Sequence, residues 1–204
     1  MGIDKDLLGK YTLTTWSYKQ GELVSLMIHL GVRLGIYEAL DGAGPVTAVE
    51  LSLATGLHER WLHEWLRAQG AAELLVTADG ETFELEAEAA LVLARRDTPT
   101  YAAGVFAGLR DPRVADGLAE AFQTGIGLTY DDQGEGSEMH IEAMLAPMAR
   151  ALLVPTVLPA LDGVVDRLSA GAKVVDVGCG TGLAIKLMSE AWPGSTYEGY
   201  DVSE

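Results

Sequence analysis

Three glycines at alternate positions are the most informative feature of the chain. Gly178, Gly180 and Gly182 lie in the stretch Val-Val-Asp-Val-Gly-Cys-Gly-Thr-Gly-Leu, from Val174 to Leu183. Glycine lets a ligand approach the backbone and adopts dihedral angles that other residues avoid. Asp201 follows about 20 residues later, where a carboxylate can accept hydrogen bonds from both hydroxyls of a ribose. These residue types at this spacing predict a site for a ligand that contains a nucleoside.

The elements around these residues are those of a parallel sheet. Lys173 to Val177 is a short apolar run that predicts a strand, and Leu183 to Trp192 has helical spacing before Pro193-Gly194. Ser195 to Val202 predicts a second strand that ends near Asp201. Strand, glycine turn, helix and strand make one βαβ unit. In such folds ligands bind at the carboxyl edge of the strands, and both the turn and Asp201 are expected there.

Two common nucleotide motifs do not fit the turn. The dinucleotide fingerprint G-x-G-x-x-G/A, started at Gly178, requires Gly or Ala where the chain has Leu183. A phosphate-binding P-loop requires Lys followed by Ser or Thr after its last glycine, and Leu183-Ala184 follows Gly182 instead. The ligand is therefore expected to be neither a nicotinamide dinucleotide nor a nucleoside triphosphate held by a P-loop.

The stretch from Val175 to Gly182, together with Tyr200-Asp201, closely resembles the first two motifs of class I S-adenosylmethionine-dependent methyltransferases. The resemblance implies S-adenosyl-L-methionine as cofactor, with Asp176 supporting the turn near the amino acid part of the cofactor and Asp201 holding the ribose. The residues expected to bind the cofactor are Asp176, Gly178, Cys179, Gly180, Thr181, Gly182, Asp201 and Tyr130. For Cys179, packing under the cofactor is favoured over a nucleophilic thiol. For Tyr130, a place over the cofactor competes with a solvated acidic turn that includes Asp131, Asp132 and Glu135.

The first half of the chain has the pattern of a winged helix-turn-helix. Thr47 and Glu50 form a capping box at a helix start. Gly31 and Gly35, inside the first helical pattern, indicate a break or a close helix crossing, and Gly70 is placed to end a later helix. The expected helices are Leu13 to Leu40, a short helix ending near Gly56, and His58 to Gln69 with Leu62, Trp65, Leu66 and Gln69 inside. Leu74 to Thr77 and Thr82 to Leu85 are expected to pair as a hairpin around Asp79-Gly80. Further helices are expected around Tyr101 to Leu109, Val114 to Gln123, Glu138 to Leu153 and Leu161 to Leu168.

This order of elements is similar to that of bacterial small-molecule methyltransferases with a winged-helix dimerisation region at the N-terminus. The stretches Gly56 to Arg67 and Thr124 to Asp131 carry this second resemblance. It implies a homodimer and a small-molecule methyl acceptor. The expected fold class is α/β: a mostly helical winged-helix region, then the start of a Rossmann-like methyltransferase sheet. The expected domains are residues 1–97, a helical linker over 98–170, and a first βαβ unit over 171–204.

A DNA-binding regulator is the alternative function. The candidate recognition helix carries Arg60, His63 and Arg67, but also Glu59 and Glu64. The expected wing has only acidic charges, namely Asp79, Glu81 and Glu84. The whole chain carries 14 Lys and Arg against 30 Asp and Glu, a net charge of −16. Nucleic-acid affinity depends on basic contacts to phosphate, so nucleic acid is an unfavoured partner, and an anionic membrane is unfavoured for the same reason.

Histidines and aromatic residues offer weaker signals. His58 and His63 are not spaced to place two ligands on one helical face, so no metal site is expected. His29 is either a packing residue or part of a pocket, and His140 opens a helix. The aromatic cluster Tyr11, Trp16 and Tyr18 is expected to pack against a dimer partner, with a wall for an aromatic acceptor as the alternative.

The single cysteine excludes an intrachain disulfide, and neither a signal peptide nor an apolar run of membrane-spanning length is recognised, so a cytoplasmic location is expected. The chain stops just after the second expected strand, and two strands cannot form a complete parallel sheet. We therefore expect a fragment, a truncated gene product or a chain whose remainder lies elsewhere, with the acceptor's general base in the missing part. We expect the isolated chain to show no methyl transfer in a turnover assay.

Overall fold

The computed structural model describes residues 2–108, 112–129, 132 and 137–202, and of residues 112 and 137–140 it describes the backbone only. The chain divides into two compact units, Met1–Arg95 and Arg96–Glu204. Within the described residues, no helix is both long and apolar enough to cross a membrane.

The first unit is mostly helical with a small antiparallel sheet. Its elements are α1 (Lys5–Arg33), α2 (Ile36–Leu40), β1 (Val46–Thr47), α3 (Ala48–Thr55), α4 (Glu59–Ala71), β2 (Thr82–Phe83) and α5 (Ala87–Leu93).

The first helical pattern is divided by Gly35. Helix α1 begins earlier than the pattern predicts, because the Asp4 side chain caps it by accepting hydrogen bonds from the backbone N–H groups of Asp6 and Leu7. Gly35 adopts a left-handed conformation with φ of 69° between α1 and α2. Glycine occupies this region without the steric penalty of a side chain. The break that the sequence offered as one alternative is therefore found at Gly35.

Gly31 serves the other alternative, a close crossing of elements. A methyl group added there would lie 2.5 Å from the ring of Tyr37 and 2.7 Å from the ring of Trp65. These two rings pack edge to face, with centroids 5.2 Å apart. The Trp65 indole N–H also donates to the carbonyl oxygen of Met27 at 2.8 Å. The missing side chain of Gly31 thus lets α1, α2 and α4 meet around two aromatic rings.

The helix-turn-helix follows its sequence pattern closely. The Thr47 hydroxyl accepts from the Glu50 N–H, and the Glu50 carboxylate accepts from the Thr47 N–H, which confirms the capping box. The residues buried on α4 are the expected ones: Leu62, Trp65, Leu66 and Gln69. The predicted stop at Gly70 is wrong, because α4 continues to Ala71. Gly70 instead makes room for the ring of Phe83, which a methyl group there would approach to 3.1 Å.

The wing is paired differently from the predicted hairpin. Between the two expected strands there is only an isolated bridge, from Val76 to Glu84, within the described residues. Strand β2 pairs instead with β1, with Phe83 opposite Val46. The turn itself is held by the Asp79 carboxylate. Hydrogen bonds from the backbone of Thr82 and of Glu81 lower the pKa of Asp79 to about 2.

The second unit contains helices and a parallel strand pair. Its elements are a 3-10 helix (Ala103–Phe106), α6 (Pro112–Thr124), α7 (Ser137–Leu152), a π-helical turn (Leu153–Val157), α8 (Val164–Ser169), β3 (Lys173–Val177), α9 (Leu183–Ala191) and β4 (Thr196–Tyr200). The helix expected over Tyr101 to Leu109 is the short 3-10 helix. The one expected from Leu161 begins only at Val164, because Gly163 precedes it in a left-handed conformation.

Strands β3 and β4 are parallel and in register, with Lys173 opposite Thr196 and Val177 opposite Tyr200. One face of the pair packs on a core around Leu158, Leu168 and Met188. Parallel strands end at the same edge, so the turn after β3 and the residue after β4 are neighbours. The βαβ start of a Rossmann-like sheet is confirmed.

The close packing at Gly31 gives a test of the first unit. We expect Gly31→Ala to lower the free energy of unfolding by about 1–2 kcal/mol, because the methyl group forces two buried rings apart. The control is Gly21→Ala, in the same helix with no atom within 4 Å of the added methyl group. Since alanine favours a helix over glycine, the control is expected to gain about 0.5–1 kcal/mol. Urea unfolding measures the free energy of unfolding of both variants. A change of the same sign in the two variants would contradict this packing.

Candidate functional site

The glycine turn joins β3 to α9 through three left-handed residues. Gly178, Gly180 and Gly182 have φ of 80°, 51° and 80°. A side chain at any of these dihedrals is strained. The positions that a Cβ would occupy at all three are open, with no atom within 4 Å. The glycines are therefore needed for the backbone conformation, and the space above them is available to a ligand.

Hydrogen bonds tie this turn to the end of β4. The N–H groups of Gly178 and Cys179 donate to the carbonyl oxygen of Tyr200, at 2.7 Å and 3.2 Å. Gly182 is the N-cap of α9. The first N–H groups of a helix have no partner within the helix, so this end of α9 offers donors beside the turn.

Asp201 lies next to the turn, as the spacing of the motif requires. One oxygen of its carboxylate accepts a hydrogen bond from the Gly180 N–H at 2.7 Å. The structure thus brings together the glycine turn and the carboxylate, although the sequence argument did not anticipate a direct bond between them.

The remaining expected cofactor residues are placed as follows. Asp176 is half-buried in β3, opposite Gly199 of β4, and its carboxylate has no hydrogen-bond partner among the described residues. Thr181 is exposed in the turn, and Cys179 is half-buried. The Cys179 thiol donates weakly to the carbonyl oxygen of Gly180 at 3.7 Å. Tyr130 lies outside the described residues, so its place over a cofactor stays a prediction.

Gly199 is a site-forming residue that sequence reasoning missed. A methyl group added there would lie 2.7 Å from the sulfur of Cys179 and 2.7 Å from Cδ1 of Ile185. The thiol therefore packs toward β4, while the expected place of Cys179 under a cofactor stays a prediction. The signal available in the sequence was a glycine inside the expected second strand, a pattern that indicates close approach of another chain segment.

The histidines have local structural roles where the structure describes them. His58 caps α4 by accepting from the Arg60 N–H at 3.2 Å. His29 is buried near the end of α1. The side chain of His140 lies outside the described residues. Across the described part of the chain, no three His, Cys, Asp or Glu side chains come together as metal ligands would.

The basic residues of the candidate recognition helix lie beside acidic partners. Arg67 bonds to Glu81 of the wing at 2.6 Å, and His63 lies 3.6 Å from the other oxygen of the same carboxylate. Arg60 pairs with Glu64 at 3.0 Å on the helix itself. The charges that would contact DNA phosphates are thus largely neutralised within the domain.

Helix α1 has long exposed stretches of apolar surface. Tyr11, Trp16 and Tyr18 are 65%, 64% and 76% exposed, and Leu13 and Leu23 are exposed as well. These side chains are distributed around the helix rather than along one face. Polar residues such as Lys10, Thr14 and Lys19 lie between them. These exposed apolar side chains are left uncovered by the described residues of the first unit.

Comparison with protein families supports the winged helix. Residues 22–95 match the model of the Rv2258c-like winged HTH domain. This match confirms the helix-turn-helix expected in the first half of the chain.

Solved structures resemble nearly the whole chain. The mitomycin 7-O-methyltransferase MmcR is 23% identical with a TM-score of 0.70, and 97% of this chain covers 60% of that one. Human N-acetylserotonin methyltransferase, in complex with SAM, is 21% identical with a TM-score of 0.64, and 98% of this chain covers 60% of that one. CalO1, a methyltransferase in calicheamicin biosynthesis with SAH bound, is 24% identical with a TM-score of 0.58, at 98% and 60% coverage.

Identity below 25% makes these likenesses evidence of fold. The chain spans about 60% of the length of the methyltransferases that it matches. Its residues 22–95 are similar to the Rv2258c-like winged HTH domain, and β3, α9 and β4 form a βαβ unit within the fold that it shares with these methyltransferase structures.

Proposed function

We propose that this chain is part of an S-adenosylmethionine-dependent methyltransferase that acts on a small-molecule acceptor. The observation that carries the proposal is the left-handed glycine turn after β3 with the Asp201 carboxylate at its edge. Similar solved structures that contain SAM or SAH support the choice of cofactor.

The proposed contacts follow from the geometry of the turn. The open space over Gly178, Gly180 and Gly182 admits the cofactor to the backbone, with Cys179 and Thr181 in the same turn. Asp201 would accept hydrogen bonds from the ribose hydroxyls. The residues we assign to the cofactor are Asp176, Gly178, Cys179, Gly180, Thr181, Gly182 and Asp201, together with Tyr130, which lies outside the described residues and is assigned from the sequence resemblance alone.

The cofactor supplies a methyl group on a sulfonium centre. Transfer of that group depends mainly on alignment of the acceptor with the methyl carbon. The chain's contribution at this site is to bind and orient the cofactor through a rigid turn and one carboxylate. No described residue is assigned as a base for the acceptor.

Cofactor binding is tested by calorimetry with S-adenosylhomocysteine. We expect the chain to bind it and not to bind NAD. Asp201→Ala is expected to weaken the affinity about tenfold or more, since hydrogen bonds to a charged group contribute about 1.5–3 kcal/mol. Asp162→Asn, an exposed carboxylate before α8, is the control and is expected to bind like the parent chain. Binding of NAD instead of S-adenosylhomocysteine would refute the cofactor assignment.

The winged helix also raises DNA binding as a second candidate, which the charges disfavour. Arg67 and His63 face Glu81 of the wing, so DNA phosphates would compete with a carboxylate already in place. We expect no gel shift with duplex DNA at about 0.15 M salt. We expect Glu81→Gln to increase any shift seen at low salt, because it releases Arg67. A salt-dependent shift by the parent chain near physiological salt would favour the regulator.

We also propose that the chain forms a homodimer through α1. The support is the exposed apolar surface of α1, whose side chains are distributed around the helix and which no other part of the first unit covers. A second copy would bury these aromatic and leucine side chains, each worth about 1.5–3 kcal/mol when fully removed from water. If these side chains instead form a wall for an aromatic acceptor, we expect a monomer in which they stay exposed.

Sedimentation measures the oligomeric state directly. We expect the parent chain to sediment as a dimer at micromolar concentration, and Trp16→Glu combined with Leu23→Glu to sediment as a monomer. The control is Gln123→Glu combined with Thr156→Glu, which adds the same charge to exposed polar positions outside α1 and is expected to remain dimeric. A monomeric parent chain would contradict the proposal.

A further inference from the structure

The space left by the missing side chain of Gly199 is already filled. A methyl group there would meet the Cys179 sulfur at 2.7 Å, Cδ1 of Ile185 at 2.7 Å and Cβ of Cys179 at 3.2 Å. Non-bonded atoms do not approach a Cβ so closely, so alanine at this position would displace the side chains of Cys179 and Ile185, and the 3.2 Å approach to the Cys179 Cβ would press on the turn itself. Cys179 belongs to the glycine turn and Ile185 to the first turns of α9.

The same turn is held at its other side by hydrogen bonds. Gly178 and Cys179 donate to the carbonyl oxygen of Tyr200, and Gly180 donates to Asp201. Both acceptors follow Gly199 directly in the chain. The short segment 178–180 is therefore constrained in two ways. Cys179 packs over β4, and Gly180 donates a hydrogen bond to Asp201.

We propose that Gly199 is a positioning residue for the cofactor site. Its missing side chain lets Cys179 pack against β4, and this packing places the Gly180 N–H within hydrogen-bond distance of the Asp201 carboxylate before any ligand binds. The proposal deepens the proposed function and rests on it for its effect on the cofactor. Its effect on the ligand-free turn is independent of which ligand binds.

The single cysteine makes the packing measurable without a ligand. Cys179 is the only thiol of the chain, so the rate of its reaction with a disulfide reagent reports on this site alone. We expect Gly199→Ala to raise that rate severalfold, because the added methyl group displaces the sulfur from β4. Adding Ile185→Val, which removes the second clashing atom, is expected to bring the rate part of the way back.

Two controls separate local displacement from general loss of stability. Gly194→Ala places a methyl group with no atom within 4 Å, just before β4. Gly31→Ala disturbs the first unit and leaves the turn unchanged. Both are expected to react at the rate of the parent chain.

Affinity for S-adenosylhomocysteine tests the consequence for the site. We expect Gly199→Ala to bind about tenfold or more weakly, since the turn no longer presents its donors in place. The triple variant Gly199→Ala, Cys179→Ala, Ile185→Val removes both clashing atoms and is expected to recover most of the affinity. Cys179→Ala with Ile185→Val alone measures what these two changes cost.

Each outcome decides the proposal. An unchanged thiol rate in folded Gly199→Ala overturns it, and so does an equal rise in the Gly194→Ala control. If Gly199→Ala does not fold, a triple variant that folds but does not regain affinity overturns it. If the parent chain does not bind S-adenosylhomocysteine, the proposed function fails, while the thiol rates still show whether Gly199 positions the turn.

Discussion

The parallel pairing of β3 with β4 is the constraint on which the candidate site depends. Because the strands are in register and run in the same direction, the turn after Val177 and the carboxylate after Tyr200 reach the same edge. The connection through α9 makes this direction possible, since parallel strands require a crossover. The direct bond between Gly180 and Asp201 then joins two segments that are distant in sequence. The geometry of the candidate site thus follows from strand direction more than from any single side chain.

The pairing also explains how the short sheet is held in place. Tyr197 donates to the carbonyl oxygens at the end of α9, from Met188 and Trp192. The Ser195 hydroxyl donates to the Leu168 carbonyl oxygen and accepts from the Ala172 N–H. These bonds give partners to carbonyl groups at the C-terminal ends of α8 and α9, which have none within their helices. The orientation of α9, and with it the donors at its N-terminus, is therefore set by contacts on the far side from the glycine turn.

Local signals in the sequence predicted local structure well. The capping box at Thr47, the buried face of α4 and the βαβ order all depend on residues near one another in the chain. Predictions that depended on a distant partner were less accurate. Gly70 lies inside α4 and makes room for Phe83, and the expected hairpin is reduced to an isolated bridge between Val76 and Glu84 while β2 pairs with β1. Gly199 was missed for the same reason, because its meaning depends on Cys179 and Ile185 lying above it.

The winged helix has the apolar core of its fold, but its charges disfavour DNA, the usual ligand of such a domain. The scaffold needs apolar residues on the inner face of α4, and those are present. DNA binding needs free positive charge on the outer face of α4. On that face, Arg67 and His63 lie beside the Glu81 carboxylate of the wing. The wing and the helix thus bind each other through groups that would otherwise contact phosphates. The net charge of −16 on the chain disfavours phosphate contacts further, and the exposed apolar side chains of α1 are the surface on which the proposed dimer depends.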